Sequence, residues 1–579
     1  MCGIIGCVSH RDVSNILLEG IKKLEYRGYD SCGISVVNDS KIITKKGAGR
    51  VDDVDKLLNF EEMKGHTGIA HTRWATMGRP IDKNAHPFYS EAQNFSIVHN
   101  GIIENYLELK EGLIQGGVEF SSDTDSEVIV HLIAEAFNGD LLEAMLKVIP
   151  KLRGAYALCV LHNQSKEIIG ARNGSPLLVG IGVNENFLAS DVSAFVSSTK
   201  KVIYLNDFEI AKISDKVEVF DFSGNLVEKK IEVVDWDITQ AQKQGYKHFM
   251  IKEIMEQKKV VEEQLKVKFD FAVIPKQVHI VACGGAGFAG VLGEYLIEEI
   301  SKIPCRFYHG SEFRYRNPLL REGDLVIAIS QSGETADTLA AVRKAKEKGV
   351  KTLSIINVMG STIARESDEV VYTRAGPEIS VASTKAFLAQ VISMYQVAFA
   401  LKGEEFRLDD FQDIIDKLLS LNNKIRELAE KYYLAQNFIY IARNRNYAIA
   451  LEGALKLKEI AYIHAEAYHA GELKHGPLAL VCEEMPTFAI CPRDEFYDKT
   501  FSNIEEVKAR GGKVIVLATS GDEKIKHIAD DVIYIPKVDC LFYPLLETIP
   551  VHLFAYHIAN LKEIDVDFPR NLAKSCTVE

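Results

Sequence analysis

The 579-residue sequence predicts an α+β layered domain followed by two doubly wound α/β subdomains. Up to about Val234, short strand-like runs alternate with a few helical stretches, as in a layered α+β domain. After about His248, strand-like runs alternate with long helical ones, which is typical of βαβ units in a parallel sheet. An internal repeat accompanies this change, since Val278–Cys283 matches Phe438–Arg443 at an offset of 160 residues.

The first part carries two helical patterns, over Ile16–Tyr26 and Glu127–Phe137, and the stretch Phe187–Phe222 is rich in strand-forming residues. Five further runs have the length and β-branched content of strands, namely Ile4–Val8, Gly33–Val37, Gly68–His71, Phe95–His99 and Ala155–Leu161.

The domain boundaries follow from the change of pattern. Asp235–Lys247 is polar and contains a glycine, as linkers often do. In the second part Gly310–Tyr315 matches Ala470–His475 at the same offset of 160, which favours a duplicated α/β unit over chance similarity. We therefore predict a first domain at 2–235, a linker at 236–250, two subdomains at 251–424 and 425–564, and a C-terminal tail at 565–579.

Composition excludes several classes of function. A net charge of -13 argues against a general nucleic-acid binder, which would show a basic face. None of the ten cysteines forms a C-x-x-C pair, which suits a reducing cytosol. No apolar run approaches the roughly 20 residues that a membrane helix needs, and no signal peptide is visible. We therefore expect a cytoplasmic protein. We also expect no metal site, because the three candidate histidines, His464, His469 and His475, lack a pattern of carboxylate or cysteine partners.

The N-terminus offers a nucleophile. Removal of Met1 would leave Cys2 with a thiol and a free α-amino group on one residue. With a reference pKa of about 7.7–8.0, that amine is able to take the thiol proton and return it. A thiolate is the reactive form, and an N-terminal amine is an established type of activating base. The alternative is that Cys2 merely follows the initiator methionine.

Four motifs join Cys2–Gly6 to a known family: Leu24–Ser31, His71–Thr76, Val98–Asn105 and Ser122–Asp125. Together they resemble the N-terminal-nucleophile glutaminase domain of class II amidotransferases, which implies a layered α/β/β/α fold and Cys2 as the catalytic thiol. The resemblance implies that Asn100 and the Gly101 amide stabilise the oxyanion, and that four residues hold glutamine or line the ammonia path: Arg73, Trp74, Thr76 and Asp125.

Each of these residues also has a simpler interpretation. Asn100-Gly101 lies between two apolar runs and is a strong type I′ hairpin signal. Arg73 is also consistent with a surface ion pair, and Asp125 with the N-cap of the helix that follows.

A second candidate site follows the buried strand Leu325–Ile329. The turn after it carries hydroxyl and amide side chains and leads into a helix, whose first-turn amides and dipole favour an anion. Its donors are Ser330, Gln331, Ser332 and Thr335. Helix capping by Ser or Thr is the alternative. A dinucleotide fingerprint is absent, so no nucleotide cofactor is implied.

This turn, the repeat and Glu378–Phe387 resemble the sugar isomerase (SIS) family. The resemblance extends over nearly the whole chain through three more segments: Leu451–Ile460, Glu466–Pro477 and Asp567–Ser575. The glutaminase part and the sugar isomerase part follow each other in the order found in a family of isomerising amidotransferases. That family implies transfer of the glutamine amide nitrogen to fructose 6-phosphate, giving glucosamine 6-phosphate and glutamate in the first step of hexosamine biosynthesis. It implies a homodimer and no cofactor.

The family pattern also assigns roles in the sugar half. His475 opens the hexose ring, Glu459 moves a proton from C1 to C2, and Lys456 sits beside Glu459. Ala573 and Lys574 close over the sugar from the tail. Val381 and Ser383 belong to the predicted sugar-phosphate contacts. The simpler alternatives are a salt-bridged surface face for Glu452, Lys456 and Glu459, and a helix end at His475.

Two departures from the family pattern bear on the substrates. Met77 stands where the family has a histidine, and Gly285 and Ala286 stand where it has Thr and Ser, so two hydroxyl groups near the sugar are missing. Two other functions remain as alternatives. One is a different amidotransferase, although the sequence contains neither an ATP-pyrophosphatase loop nor a phosphoribosyl-pyrophosphate loop. The other is a non-catalytic sensor of sugar phosphates.

Overall fold

Fourteen strands in two sheets form the centre of the N-terminal part. The structure, a computed structural model, describes residues 2–234 and 243–577. These fall into two units, one holding the described residues up to 234 with 573–577, the other holding 243–572. The strands of the first unit are β1 Gly3–Ser9, β2 Ser31–Asn38, β3 Lys41–Ala48, β4 Thr67–Arg73, β5 Phe88–Tyr89, β6 Phe95–Ile103, β7 Gly154–His162, β8 Ile168–Asn173, β9 Leu178–Ile181, β10 Glu185–Ala189, β11 Lys201–Tyr204, β12 Glu209–Ile213, β13 Val217–Asp221 and β14 Glu232–Val233.

The first unit has four layers. One sheet has the order β14-β11-β9-β10-β1-β4-β2-β3, and the other β13-β12-β8-β7-β6-β5. Its helices are α1 Ser14–Leu24, α2 Val51–Leu58, α3 Tyr106–Gln115, α4 Glu127–Ala136 and α5 Leu141–Val148. The first two pack on the larger sheet and the other three on the smaller one, with an apolar core between the sheets. The predicted layered fold, its five strands and its two helices are confirmed.

Strand β1 shows how the sequence produces these layers. Successive side chains of a strand point to opposite faces. Ile4 and Val8 enter the core between the sheets, while Ile5 and Cys7 pack under α1 and α2. Because both faces are covered, the strand is apolar throughout rather than alternating, which is the pattern of a fully buried strand.

The second unit contains two five-stranded parallel sheets. Their strands are β15 Val278–Ala282, β16 Cys305–His309, β17 Leu325–Ser330, β18 Lys351–Ile356, β19 Glu369–Tyr372, β20 Asn437–Ala442, β21 His464–His469, β22 Thr487–Cys491, β23 Val514–Thr519 and β24 Asp531–Ile535. The helices are α6 Phe249–Met255, α7 Gln257–Gln264, α8 Gly284–Leu296, α9 Gly310–Tyr315, α10 Ala336–Glu347, α11 Thr362–Glu366, α12 Lys385–Lys402, α13 Phe411–Leu419, α14 Asn422–Tyr432, α15 Tyr447–Ala461, α16 Tyr497–Lys508 and α17 Tyr543–Leu561.

The two sheets share one topology. Their orders are β16-β15-β17-β18-β19 and β21-β20-β22-β23-β24, so each first strand lies between the second and third strands of its copy. The internal repeat predicted from the sequence is thereby confirmed. In such sheets ligands bind outside the carboxyl ends of the strands, where the strand order reverses. In the first copy this point lies between β15 and β17.

The copies are fused through one apolar core, which draws on α8 and α12 of the first copy and α15 and α17 of the second. The predicted boundary between residues 424 and 425 falls inside α14. It stays a prediction, as do the other predicted limits. Of the predicted linker, residues 235–242 lie outside the described residues. Within the described part of the chain, none of the helices has the length and apolarity needed to cross a bilayer.

The start of the predicted tail is tied to the second unit by Asp567. Its carboxylate is fully buried and accepts hydrogen bonds from the amides of Phe249 (2.9 Å) and Met250 (2.9 Å), the first residues of α6. Its carbonyl oxygen accepts from the amide of Val381 at 3.1 Å. Asp567 therefore caps α6 and fixes the loop before α12 at the same time.

Replacement of Asp567 by Ala should destabilise the second unit by about 2 kcal/mol, because it removes a buried cap from two helix amides. Urea unfolding and hydrogen exchange of residues 249–255 measure the effect. Asp539 is the control, since it is exposed and accepts from the Leu541 amide at 3.0 Å at the start of a short turn. Asp539→Ala should cost well under half as much; equal losses would contradict the capping role of Asp567.

Candidate active sites

Cys2 lies directly before β1 and contacts the residue after β4. The Trp74 amide donates to Cys2 Sγ at 3.3 Å, and Sγ lies 3.5 Å from the Trp74 carbonyl oxygen. Burial raises the pKa of the Cys2 thiol, while the Trp74 amide and the Arg73 guanidinium lower it. The thiol is thus held in a fixed position beside the Trp74 amide and near the Arg73 guanidinium, while burial keeps its pKa above the ordinary value.

Asn100 is oriented by a histidine for which the sequence suggested no role. His71 Nε2 lies 3.1 Å from Asn100 Oδ1 and 3.0 Å from the carbonyl oxygen of His99. Both are acceptors, so Nε2 carries the proton. Burial lowers the pKa of His71 to about 3, so the ring is neutral. This fixes the Asn100 amide with Nδ2 towards Cys2, whose carbonyl oxygen it meets at 3.0 Å.

Asn100 and Gly101 lie inside β6 and pair with Ala157 and Tyr156 of β7. The hairpin interpretation is therefore wrong: the apolar runs on both sides belong to one strand. Gly101 has φ +126°, and a Cβ there would lie 1.9 Å from the Ala155 carbonyl oxygen, so only glycine fits.

Arg73 is buried, not a surface ion-pair residue. Its guanidinium donates to the carbonyl oxygens of Met77 and Gly78, the latter at 3.2 Å. Met77 thus contributes its backbone carbonyl, a contact that does not depend on the identity of its side chain. Burial lowers the pKa of Arg73, while Cys2, Asp30 and Asp125 raise it, so these three groups lie within electrostatic range of the guanidinium.

Asp125 does not cap α4. Its Oδ2 accepts from the Ile103 amide at 2.8 Å, which ties it to the end of β6. Trp74 is half-buried and Thr76 is exposed, in the loop that Arg73 braces. The structure therefore brings together Cys2, Arg73, Trp74, Asn100 and Asp125. Asp30, which accepts from the Ala75 amide at 2.7 Å, holds the same loop and was missed.

In the second unit the predicted anion turn is pre-organised. Ser330 Oγ lies 2.9 Å from Thr335 Oγ1 and accepts from the Gly333 amide at 3.0 Å. Thr335 stands before α10, but among the described residues no side chain caps that helix. Capping is therefore not the role of these hydroxyls. The first-turn amides of α10 remain available for an anion at the point where the strand order reverses.

The loop before α12 borders the same region of the sheet. Ser383 Oγ donates to Glu378 at 2.8 Å, and the other carboxylate oxygen of Glu378 accepts from the amides of Thr384 and Ala386. Val381 is buried and bonded to Asp567. Glu378 thus sets the conformation of the loop that carries Val381 and Ser383. The sequence analysis gave Glu378 no role.

A buried charge cluster, Glu452, Lys456, Glu459 and His552, lies on α15 and α17. Lys456 Nζ is 2.6 Å from Glu459 Oε2 and 3.3 Å from Glu452 Oε1, which is also 3.0 Å from His552 Nε2. Glu452 and Lys456 are at most 1% exposed, so the surface-face interpretation is wrong. Burial alone would lower the pKa of Lys456, but Glu452 and Glu459 raise it, so the lysine stays cationic.

This cluster lies next to the first copy. A Cβ at Gly285, at the start of α8, would be 3.1 Å from Glu452 Oε2. Since α8 follows β15, the carboxylates of α15 lie beside the crevice between β15 and β17. The start of α8 in the first copy and α15 in the second copy are therefore in contact at Gly285 and Glu452.

Two predicted groups are not brought into this site. His475 ends a short 3-10 turn, Ala470–His475, and is exposed, with no hydrogen bond to another described residue. The helix-end interpretation therefore holds locally, and its role in ring opening stays a prediction. Ala573 and Lys574 belong to the first unit, so closure of the sugar site by the tail also stays a prediction.

Replacement of His71 by Phe should lower kcat for glutamine hydrolysis about 100-fold with little change in KM, because Asn100 loses the donor that orients it towards the oxyanion. His86→Phe is the matched control, since His86 stacks on His71 at 4.0 Å and its Nδ1 has no hydrogen-bond partner among the described residues. His71→Gln should recover part of kcat. A similar loss in the His71→Phe and His86→Phe variants would argue for a packing role only.

Comparison with known proteins agrees with this geometry. Residues 71–197 match the glutamine amidotransferase domain model, and residues 274–400 and 431–561 each match the SIS domain model. The glutamine–fructose-6-phosphate aminotransferase (isomerizing) of Aquifex aeolicus is 48% identical, and that of Clostridium tetani 45% identical, each over 100% of both chains.

A solved structure covers the second unit. The C-terminal domain of glucosamine-fructose-6-phosphate aminotransferase from Francisella tularensis is 40% identical, with a TM-score of 0.53, and covers 57% of this chain and 100% of that domain. With full-length relatives at this identity, the predicted fold class is confirmed for both parts. The chain belongs to the family of glutamine–fructose-6-phosphate aminotransferases (isomerizing).

Proposed function

We propose that this chain transfers the amide nitrogen of glutamine to fructose 6-phosphate and isomerises the product, giving glucosamine 6-phosphate and glutamate. The observation that carries the proposal is that one unit holds the thiol of Cys2 in a fixed position, while the other holds both an anion-binding turn and the charge cluster around Lys456. Neither half alone would account for both substrates.

In the glutaminase half, the Cys2 thiolate attacks the carboxamide carbon of glutamine. Negative charge develops on the carboxamide oxygen, towards which Asn100 Nδ2 and the Gly101 amide donate. Arg73 holds the α-carboxylate and Asp125 the α-ammonium. The C–N bond breaks, ammonia leaves with a proton from the α-amino group of Cys2, and water hydrolyses the thioester to glutamate.

In the isomerase half, the phosphate sits on the first turn of α10 with donors from the preceding turn, as helix N-termini bind anions. Ammonia condenses with the C2 carbonyl to an imine and water leaves. Glu459 takes the proton from C1 and returns it to C2, while the proton of the O1 hydroxyl ends on the imine nitrogen; together these shifts convert the imine of a ketose into an amino aldose. Lys456, held cationic by its two carboxylates, lies 2.6 Å from Glu459 Oε2 and fixes the position of this base beside C1.

Several further roles belong to the proposal. We assign ring opening to His475, the gate of the ammonia path to Trp74, and the lid over the sugar to Ala573 and Lys574. We also propose a homodimer in the cytoplasm, where ten free cysteines would stay reduced. The proposal needs no cofactor.

Incubation of the purified chain with glutamine and fructose 6-phosphate should give glucosamine 6-phosphate and glutamate in equal amounts, measured by mass spectrometry. Cys2→Ala should abolish the glutamine-dependent reaction and keep synthesis from added ammonium salts. Binding of the sugar phosphate without turnover would instead indicate a sensor, and a different aminated product another amidotransferase. Equal loss of both nitrogen sources would contradict separate sites.

Glu459→Gln should lower the exchange of C1 hydrogen of fructose 6-phosphate with solvent at least about 1000-fold, since the amide cannot act as a base. Deuterium incorporation followed by NMR measures this rate. Glu430→Gln, on the exposed face of α14, is the control and should keep the rate of the unmodified chain. Undiminished exchange in Glu459→Gln would remove this residue as the base.

A further inference from the structure

His552 is a buried histidine that contacts one carboxylate of the charge cluster. Its side chain, on α17, is fully buried, and its Nε2 lies 3.0 Å from Glu452 Oε1. A carboxylate oxygen is an acceptor, so Nε2 carries the proton and donates it. The other ring nitrogen, Nδ1, is buried and has no hydrogen-bond partner among the described residues. A neutral ring fits both observations, because a cation would bury a second N–H group without an acceptor.

The same carboxylate oxygen also accepts from Lys456. The Lys456 Nζ atom lies 3.3 Å from Glu452 Oε1 but only 2.6 Å from Glu459 Oε2, so two carboxylates share the ammonium unequally. A second donor on Oε1 reduces the negative charge that this oxygen offers to the ammonium. The contact from His552 therefore acts on the carboxylate that competes with Glu459 for Lys456.

The other elements packed against the cluster bring uncharged residues. Phe387 of α12 meets the His552 ring edge to face at 5.8 Å, and Gly285 of α8 lies against the Glu452 carboxylate. Burial alone would raise the pKa of Glu452, but Lys456 and His552 lower it, so the carboxylate stays ionised. Within the described part of the chain, Lys456 and His552 are thus the two groups that hold its charge.

We propose that His552 is a positioning residue for the proton transfer between C1 and C2. By donating to Glu452 Oε1, it weakens the competing carboxylate and leaves Lys456 on Glu459. This rests on the proposed function and deepens it, because it adds a side chain of a second helix to the groups that control the base. His552 acts through two side chains of α15 and not by contact with the sugar.

Loss of this donor would leave Lys456 as the one remaining partner of Glu452 Oε1. The ammonium would then move towards Glu452, and the ionised form of Glu459 would be less stabilised. A base accepts a proton only in its ionised form. The exchange of the C1 hydrogen should therefore require a higher pH when the donor is absent.

The test compares two buried histidines of one helix. His557 also lies in α17, and its Nε2 is 2.8 Å from the side-chain oxygen of Asn422, a neutral amide. Burial lowers the pKa of His557 to about 4, so this ring is neutral too. His557→Leu thus removes a buried, hydrogen-bonded imidazole without touching the charge cluster, which makes it the matched control for His552→Leu.

His552→Leu should lower the rate of C1 hydrogen exchange of fructose 6-phosphate on the order of 10-fold near neutral pH, with KM changed less than about 2-fold. The acid limb of its pH profile should move to higher pH. His552→Gln keeps a donor in its side-chain amide and should recover most of the rate and the original acid limb. His557→Leu should leave both unchanged. Deuterium incorporation followed by NMR over a series of pH values measures these rates.

A double variant tests whether the effect passes through Glu452. In Glu452→Gln the amide carries no charge that competes for Lys456, so addition of His552→Leu should not move the acid limb further. A full further shift in the double variant would overturn the proposed route. An acid limb that stays in place in His552→Leu, or one that moves equally in His557→Leu, would overturn the proposal as well.

Folding of the variants is checked by their melting temperatures. If His552→Leu does not fold, His552→Met takes its place, because the flexible methionine side chain fills irregular space. Failure of both to fold beside a folded His557→Leu would assign His552 to stability alone and overturn the proposal.

Failure of the proposed function gives a different result. If the unmodified chain formed no glucosamine 6-phosphate and exchanged no C1 hydrogen, the function itself would be wrong before any variant was made. If it did both and His552→Leu kept the pH profile of the unmodified chain, only the role of His552 would be wrong.

Discussion

The ion pairs of Lys456 with two carboxylates are the interaction on which the second unit depends. A lone ammonium inside a protein would lose its proton, because burial disfavours the charged form. Here Glu452 and Glu459 stabilise the charge from both sides, and His552 of α17 satisfies the same Glu452 oxygen. Since Glu452 also faces Gly285 of the first copy, the cluster lies where the two copies meet.

In the first unit, neutral groups rather than ion pairs fix the positions of the side chains. An oxyanion needs donors that already point at it, and an amide side chain is able to present either its oxygen or its nitrogen. His71, neutral and with its proton on Nε2, allows only one of the two orientations of Asn100. The conformation of Gly101 is likewise determined by the neighbouring strand, whose Ala155 carbonyl leaves no room for a side chain. The orientation of the Asn100 side chain and the backbone at Gly101 are therefore both set by neighbouring residues.

The sequence predicted the layers and the repeat, because strand length, helical period and motifs are local properties. Its site residues stay predictions, although the structure brings Cys2, Arg73, Trp74, Asn100 and Asp125 together. Contacts between distant elements were beyond its reach. Asn100-Gly101 reads locally as a turn, and only pairing with β7 shows that it continues a strand. Glu452 and Lys456 have the spacing of an exposed ion-paired face, and only the packing of α8 and α17 buries them. His71 did have a local signal, since it shares a strand face with Arg73 two residues on. His552, an isolated histidine in an apolar helix, had none.

The identical strand order of the two sheets means that the second copy possesses its own crevice, between β20 and β22. There the turn after β22 reads Pro492-Arg493-Asp494-Glu495 instead of the hydroxyl-rich sequence after β17, and Asp494 accepts from the side-chain amide of Asn446 at 2.8 Å. A carboxylate that already accepts from a nearby side chain supplies no hydrogen-bond donor to a phosphate. Two subdomains with one strand order thus present opposite chemistry at equivalent turns, since the first carries hydroxyl and amide donors and the second carries carboxylates.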